Sequence, residues 1–243
     1  MFKRPALTLI LFALSFATYA AASAAPPSTV RQAICRPVFQ ADGETFSAGT
    51  AFVLDLPKPA ARTLLVSALH VFGPDGGLDK QIPAAELAQR ASVVECRALA
   101  SAETWHAGRA LTIPDARPLE SNYLKDVSAF ILDGSTPAHP THLKLAAAPP
   151  KAGDAIWLLA QVLEGAPGTE LLHRAVVRSS KDEALQYEFD NASLKLQATS
   201  GAPLLDANGD VVGINIGAGG SHGKVIGVGD SLASLRSLLS SAR

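Results

Sequence analysis

Short apolar runs separated by turn signals dominate the sequence, and this pattern most constrains its fold. The runs are rich in β-branched residues and are bounded by Gly, Pro, Asp and Asn, which is typical of β-strands. Asn208-Gly209 between two such runs predicts a hairpin. The clearest predicted strands are Ala51–Leu56, Thr63–Ser67, Ser92–Ala98, Val127–Leu132, Ala155–Val162, Ala175–Ser179, Pro203–Leu205, Val211–Ile216 and Val225–Val228.

Helical patterns are scarce, and one segment divides the chain. Pro83–Ala91 predicts a short helix, and Ser231–Ala242, with leucines at helical spacing, predicts an amphipathic C-terminal helix. Ala146–Gly153 reads as a linker because it is rich in Ala and Pro. We therefore predict an all-β protein with two small antiparallel barrels, over residues 25–148 and 149–243.

The N-terminal segment has the pattern of a signal peptide. Lys3 and Arg4 precede the apolar run Ala6–Ala20, and Ala22–Ala24 is a small-x-small cleavage signal. The run is too short to be read as a membrane span. We predict a signal peptide over residues 1–24, with residue 20 as the alternative cleavage point. The mature protein is expected to be periplasmic or secreted, with no further membrane span.

Charge and cysteine content narrow the classes of function. The formal net charge is −1 and no basic tract is present, which argues against nucleic acid as a partner. In an oxidising compartment Cys35 and Cys96 are expected to form a disulfide worth about 4 kcal/mol, the alternative being two buried free thiols. Neither cysteine has a second cysteine or a histidine at ligand spacing, so no metal site is expected.

Three residues lie where acyl-transfer chemistry would need them. His70 follows an apolar strand, Asp126 heads another, and Ser200 lies on a bend of small residues. A serine hydroxyl is a weak nucleophile, so an imidazole must accept its proton and a carboxylate must orient that imidazole. Each residue alone is more often structural, whereas the ordered set predicts a catalytic triad.

Five motifs in order resemble the trypsin-like (chymotrypsin-fold) serine peptidases of the compact bacterial type. The motifs are Gly49–Val53, Ser67–His70, Asp126–Ala129, Ala198–Pro203 and Val212–Ile214, and the resemblance covers about residues 47 to 229. The resemblance implies two packed six-stranded antiparallel β-barrels and a short C-terminal helix. It places the histidine and the aspartate on the first barrel and the serine on the second. It implies no cofactor.

The resemblance also assigns the residues around the serine. The N–H groups of Ala198 and Ser200 would form the oxyanion hole. The substrate backbone would pair with Asn215, Ile216, Gly217 and Ala218. The family usually has glycine where this chain has Ala198, and alanine meets a steric penalty in the backbone conformations that glycine reaches freely. The sequence therefore leaves open whether these two N–H groups form a working oxyanion hole.

Two further positions bear on activation and specificity. Thr199 replaces the aspartate that digestive members use to bind a new N-terminus, so we expect no activating cleavage beyond signal removal. Leu194 stands where trypsin proper has an acidic residue, which favours a small or apolar side chain before the scissile bond.

The predicted function is a monomeric serine endopeptidase that hydrolyses peptide or protein substrates through an acyl-enzyme. The alternative is a catalytically impaired trypsin-like barrel that acts as a peptide- or protein-binding module. An esterase on the same triad and a structural envelope protein are the remaining alternatives.

Overall fold

A computed structural model describes residues 24–58, 62–120, 123–132 and 141–243, and strands predominate in it. The predicted signal peptide lies outside the described residues except for Ala24. In the part of the chain that is described, no helix is both long and apolar enough to cross a membrane.

The described residues of the first part of the chain form eleven strands, a short helix and three short segments of 3-10 helix. The helix α1 spans Ala84–Arg90, and the 3-10 turns span Ser28–Ala33, His70–Phe72 and Pro74–Gly76. The strands are β1 (Ile34–Ala41), β2 (Glu44–Ser47), β3 (Ala51–Asp55), β4 (Thr63–Ala68), β5 (Ala91–Ala98), β6 (Thr104–Trp105), β7 (Ala107–Ala110), β8 (Arg117–Glu120), β9 (Tyr123–Lys125), β10 (Val127–Leu132) and β11 (Leu143–Lys144).

Six of these strands close into the first barrel. The ring runs β1, β3, β4, β10, β7, β5 and back to β1, because β1 pairs with both β3 and β5. All six pairings are antiparallel, whereas β11 adds a short parallel pair on the outside of β3. Four phenylalanines fill one region of this barrel, with neighbouring ring centroids 4.6 to 6.1 Å apart: Phe39, Phe46, Phe72 and Phe130.

The second barrel follows from residue 155. Its strands are β12 (Ala155–Leu159), β13 (Leu172–Lys181), β14 (Ala184–Phe189), β15 (Pro203–Leu205), β16 (Val211–Ser221) and β17 (Lys224–Ser231). They close in the order β12, β13, β14, β17, β16, β15. The predicted hairpin at Asn208-Gly209 is confirmed between β15 and β16, with Gly209 at φ +87°. The two-barrel, mostly β architecture predicted from the sequence is therefore correct.

The C-terminal helix α2 (Leu232–Ser241) crosses back to the first barrel. Ser231 caps it by accepting the N–H of Ser234 at 3.2 Å. Its leucines Leu235, Leu238 and Leu239 pack in the same apolar cluster as the first barrel's core. Both predicted helices are present, each a residue or so shorter than expected at its ends. The division between residues 148 and 149 stays a prediction.

The sequence pattern did not predict three strands of the barrels: β1, β7 and β14. In β1, Arg36 and Pro37 interrupt the apolar run, and proline cannot donate to a β-ladder. The strand nevertheless forms because its residues pair with β2, β3 and β5, and Pro37 itself stays in register with Cys96.

Candidate active site

Strand register brings His70 and Asp126 together. The apolar strand β4 ends at Ala68, which is paired with Val127, the first residue of β10. Asp126 therefore lies opposite the turn that begins at His70. His70 Nδ1 is 2.6 Å from Asp126 Oδ2, and the two residues are buried, with 6% and 0% of their surfaces exposed.

The Asp126 carboxylate is fixed by more than the imidazole. Its Oδ1 accepts the N–H groups of Leu69 at 2.7 Å and of His70 at 2.8 Å. Hydrogen bonds from N–H groups to a carboxylate are short and strong, and these two leave Oδ2 directed at the ring. The arrangement favours the tautomer in which Nδ1 carries the proton and Nε2 can accept one.

The charge of this pair sets the basicity of His70. Burial by itself would lower the pKa of His70. The hydrogen bond to Asp126, with the negative charges of Asp126 and Asp75, outweighs burial and raises that pKa above its ordinary value. A histidine with a raised pKa is a stronger proton acceptor.

Ser200 lies on the other side of the imidazole. Its Oγ is 2.8 Å from His70 Nε2, and a longer contact of 3.4 Å reaches the carbonyl of Ile216. The structure thus brings the three predicted residues from two barrels into one hydrogen-bonded chain. The order is carboxylate, imidazole and hydroxyl, which is the order that activation of a serine requires.

The Ser200 turn is packed tightly against the first barrel. The N–H of Thr50 donates to the Ser200 carbonyl at 2.8 Å. Gly49 has φ +66°, and a Cβ there would be 2.7 Å from that carbonyl oxygen. Gly201 has φ +83°, and a Cβ there would be 2.6 Å from the backbone N of Ala68. Glycine is required at both positions because of the backbone conformation and because of the close approach.

Ala198 adopts the left-handed conformation, with φ +64°. This conformation costs an alanine about 1–2 kcal/mol. Its carbonyl accepts two hydrogen bonds from the first barrel, from Arg36 Nη1 at 2.7 Å and from Thr50 Oγ1 at 2.9 Å. The same nitrogen of Arg36 donates to the Gly49 carbonyl at 2.6 Å. These bonds hold the peptide that follows Ala198 in place despite the strain.

Two backbone N–H groups of this turn, those of Ala198 and Ser200, are candidate donors to an oxyanion. Within the part of the chain that the structure describes, neither the N–H of Ala198 nor that of Ser200 donates to a protein acceptor. Their neighbours do: Thr199 N–H donates to Leu196 and Gly201 N–H to Asn215. Two unused donors that flank a nucleophile have the chemistry of an oxyanion site.

Thr199 belongs to a neutral, buried hydrogen-bond network. Its hydroxyl donates to the Leu196 carbonyl at 2.7 Å and accepts from Asn215 Nδ2 at 2.9 Å. Tyr187 in turn donates to Asn215 Oδ1 at 2.5 Å. Burial raises the pKa of Tyr187, so its hydroxyl stays protonated. The buried region around Thr199 is therefore filled by hydroxyl and amide groups, and these are joined by hydrogen bonds between neutral groups.

The four residues predicted to bind substrate fall into two groups. Both backbone groups of Asn215 are used inside the protein, with Ala202 and Gly201 as partners. Beyond it, β16 pairs with β17 on one side, whereas its pairing with β15 ends at Ile214. No described strand pairs with the other edge along Ile216, Gly217 and Ala218, where an extended peptide could add as a strand.

Asp230 is a buried acid at the site that the sequence analysis missed. Its Oδ2 accepts the N–H of Asp126 at 2.8 Å, and its Oδ1 accepts the Ser234 hydroxyl at 3.2 Å. Burial, with the nearby charges of Asp126 and Glu183, raises the pKa of Asp230 to about 7. Its position just before a helix cap gave no signal of this, because acidic residues are common there.

The disulfide lies beside the residue that holds Ala198. Cys35 and Cys96 are bonded across β1 and β5, with their Cα atoms 5.4 Å apart, and both are fully buried. The predicted disulfide is therefore present. It ties β1 to β5 at the residue next to Arg36, and so anchors the strand from which Arg36 reaches the Ser200 turn.

Two other histidines have their hydrogen-bond partners outside this site. His173 is buried and hydrogen-bonded to the Ala160 carbonyl, and burial lowers its pKa. His142 contacts Asp55 at 3.0 Å, and His139 lies outside the described residues. Among the described residues, no group of three His, Cys, Asp or Glu side chains is placed to hold a metal ion.

Comparison with known proteins identifies the fold. The sequence matches no family profile and no curated protein. The active form of the Rv3671c protease from M. tuberculosis is similar in structure, with TM-score 0.56 at 18% identity over 97% of this chain and 94% of that one. Its inactive form gives TM-score 0.52 at 16% identity, covering 89% and 96%. An astrovirus serine protease gives TM-score 0.47 at 18% identity, covering 83% and 90%. The fold is the chymotrypsin-like pair of barrels.

Proposed function

We propose, for a chain with this chymotrypsin-like fold, that the protein is a serine endopeptidase that works through an acyl-enzyme. One observation carries the proposal. The imidazole of His70 bridges the Asp126 carboxylate and the Ser200 hydroxyl at 2.6 and 2.8 Å, with two unused N–H donors beside that hydroxyl. A carboxylate, an imidazole and a hydroxyl that are hydrogen-bonded in this order can activate the hydroxyl oxygen for acyl transfer.

In the proposed reaction Ser200 Oγ attacks the peptide carbonyl while its proton passes to His70 Nε2. The imidazolium that forms is stabilised by the hydrogen-bonded Asp126 carboxylate. Negative charge develops on the carbonyl oxygen and is received by the N–H groups of Ala198 and Ser200. His70 then protonates the leaving amine. A water molecule, deprotonated by His70, releases the acyl group from Ser200.

The conformation of Ala198 supports a formed oxyanion hole. The sequence left this open, because alanine disfavours positive φ. The alanine nevertheless has φ +64°, and Arg36 and Thr50 hold its carbonyl by hydrogen bonds. The main argument for a catalytically impaired binding module is thereby weakened.

The neutral network around Thr199 supports activity without zymogen cleavage. Asn215 and Tyr187 already satisfy this region with hydrogen bonds, so no new N-terminus is needed to neutralise a buried carboxylate. We further propose that the protein acts as a monomer after export to the periplasm or the exterior, without cofactor or metal. The Cys35–Cys96 disulfide supports an oxidising compartment.

A fluorophosphonate probe tests the proposal, because it reacts with activated serines. We expect the wild type to be labelled, Ser200→Ala to be unlabelled, and the exposed control Ser240→Ala to be labelled as the wild type is. The wild type should also cleave peptide amides. A folded but unlabelled wild type would favour the binding module, and labelling with hydrolysis of activated esters alone would favour an esterase.

A further inference from the structure

A cavity of about 680 Å³ opens beside the Ser200 turn, between two segments of the second barrel. One wall is formed by residues 194–197 and the other by residues 218–225. Gln197 on the first wall adjoins Ala198. The second wall continues from Ile216, whose carbonyl is 3.4 Å from Ser200 Oγ. A substrate residue whose carbonyl lies at Ser200 would direct its side chain into this cavity.

The titratable groups known to line the cavity are basic. Lys195 stands on the first wall, and His222 and Lys224 stand on the second, whereas no Asp or Glu of the described residues lines it. Clefts lined by one sign of charge concentrate ligands of the opposite sign. The sequence-based expectation of a small or apolar residue considered only the missing acid at Leu194. That expectation did not include Lys195 and Lys224, which come from two separate segments of the chain.

The ion pairs around the cavity leave it with excess positive charge. Lys224 Nζ is 2.8 Å from Glu188 Oε1, but Arg178 also pairs with Glu188. One carboxylate thus serves two cations. Lys195 has no ion-pair partner among the residues that the structure describes. Its ammonium remains available to a ligand.

The rest of the cavity suits a side chain with an apolar stem. Leu194 is nearly buried and Leu196 is half-buried, so both can pack against methylene groups. Gly219 and Gly220 have open space where a side chain would stand, which leaves the entrance wide. An aliphatic stem that ends in a carboxylate matches this combination of apolar wall and ammonium.

We propose that this cavity selects an acidic side chain, glutamate above all, at the residue before the scissile bond. The proposal rests on the proposed peptidase function and names its substrate class. Lys195 supplies the main charge contact, and Lys224 adds to the positive potential. A lysine or arginine side chain would be repelled by the same groups.

Fluorogenic tetrapeptide amides that differ only in the last residue test the proposal. For glutamate we expect kcat/KM about tenfold above the isosteric glutamine, and higher still relative to lysine, which corresponds to about 1.4 kcal/mol for one partly solvated charge pair. The ratio should shrink as salt rises. Equal or faster cleavage after glutamine, leucine or lysine would overturn it.

Matched variants locate the charge contact. Lys195→Gln is expected to lower the glutamate-to-glutamine ratio about fivefold, as befits the loss of an exposed charge contact. Lys151→Gln removes an exposed lysine of the same barrel that does not line the cavity, and should leave the ratio unchanged. A ratio that survives Lys195→Gln would overturn the assignment to Lys195.

A binding assay separates this proposal from the peptidase function. Ser200→Ala protein is titrated with labelled peptides that end in glutamate or glutamine, and anisotropy is recorded. Tighter binding of the glutamate peptide supports the proposal. If it occurs in a protein whose wild type cleaves nothing, the peptidase function fails while the selectivity of the cavity stands. Equal binding of the two peptides overturns the cavity's selectivity.

Discussion

The backbone N–H of Asp126 in the first barrel donates a 2.8 Å hydrogen bond to Oδ2 of Asp230 in the second. This bond joins the end of β17 to the residue that orients His70. A buried carboxylate in this place keeps the Asp126 backbone fixed. It also places a second acid close to a first one, which makes ionisation of Asp230 costly.

Replacing Asp230 with asparagine should change how stability depends on pH. The pKa of Asp230 is raised to about 7 in the folded protein from an ordinary 3.8. The protonated acid is therefore favoured by folding, and its contribution is complete below pH 4 and is lost as pH rises through 7. The free energy of unfolding of wild type minus Asp230→Asn should fall over that range. Urea titrations at several pH values measure it, and a difference that does not vary with pH would contradict the prediction.

Replacing Asp126 with asparagine should lower the pKa of His70. Asp126 is what raises it against burial, so without this charge the effect of burial dominates. In the wild type, protonated His70 stabilises the fold below about pH 6.5, and this contribution is lost as pH rises through the raised pKa. NMR titration of His70 in both proteins checks the shift. We also expect kcat to fall about 10⁴-fold. An unchanged His70 titration would show that the carboxylate does not control the imidazole.

Ala198→Gly should relieve backbone strain. Glycine adopts φ +64° without the penalty that alanine meets, so the free energy of unfolding should rise by up to about 1 kcal/mol and kcat/KM should not fall. Ala202→Gly is the matched control, because Ala202 is fully buried on the same turn and its φ is not positive. That change should destabilise the protein by about 1 kcal/mol. Equal destabilisation by both changes would mean that Ala198 is unstrained.

Arg36→Met should impair catalysis through the oxyanion site. The variant loses the hydrogen bonds that Arg36 donates to the carbonyls of Gly49 and Ala198, so the Ala198 carbonyl is less firmly held. We expect kcat to fall about tenfold to a hundredfold while KM changes little. The control is Arg97→Met, since Arg97 pairs with Arg36 across β1 and β5 but has 68% of its side chain exposed. A loss confined to KM, or an equal loss in both variants, would rule out a positioning role for Arg36.

The sequence was sufficient to predict most of the barrel strands and the residues that meet at the site. His70 and Asp126 each adjoin an apolar strand, and Asn208-Gly209 closes a hairpin, so local patterns carry this information. The structure brings His70, Asp126 and Ser200 together, and their catalytic roles stay a prediction.

What the sequence could not predict depends on contacts between distant segments. Arg36 reaches Ala198 across 162 positions, and Asp230 reaches Asp126 across 104. No local pattern distinguishes these side chains from surface residues. The basic cavity is also invisible in sequence, because Lys195 lies between β14 and β15 and Lys224 begins β17, and only the folded barrel places both on one cavity.

The close packing of the Ser200 turn on the first barrel has a consequence for the two halves as separate molecules. Ser200 belongs to the second barrel by sequence, but Thr50 holds its carbonyl and Ala68 crowds Gly201. A fragment that contains the second barrel alone would therefore carry Ser200 without the residues of the first barrel that fix the conformation of its turn. Reactivity toward the fluorophosphonate should return only when the two fragments are mixed and reassemble.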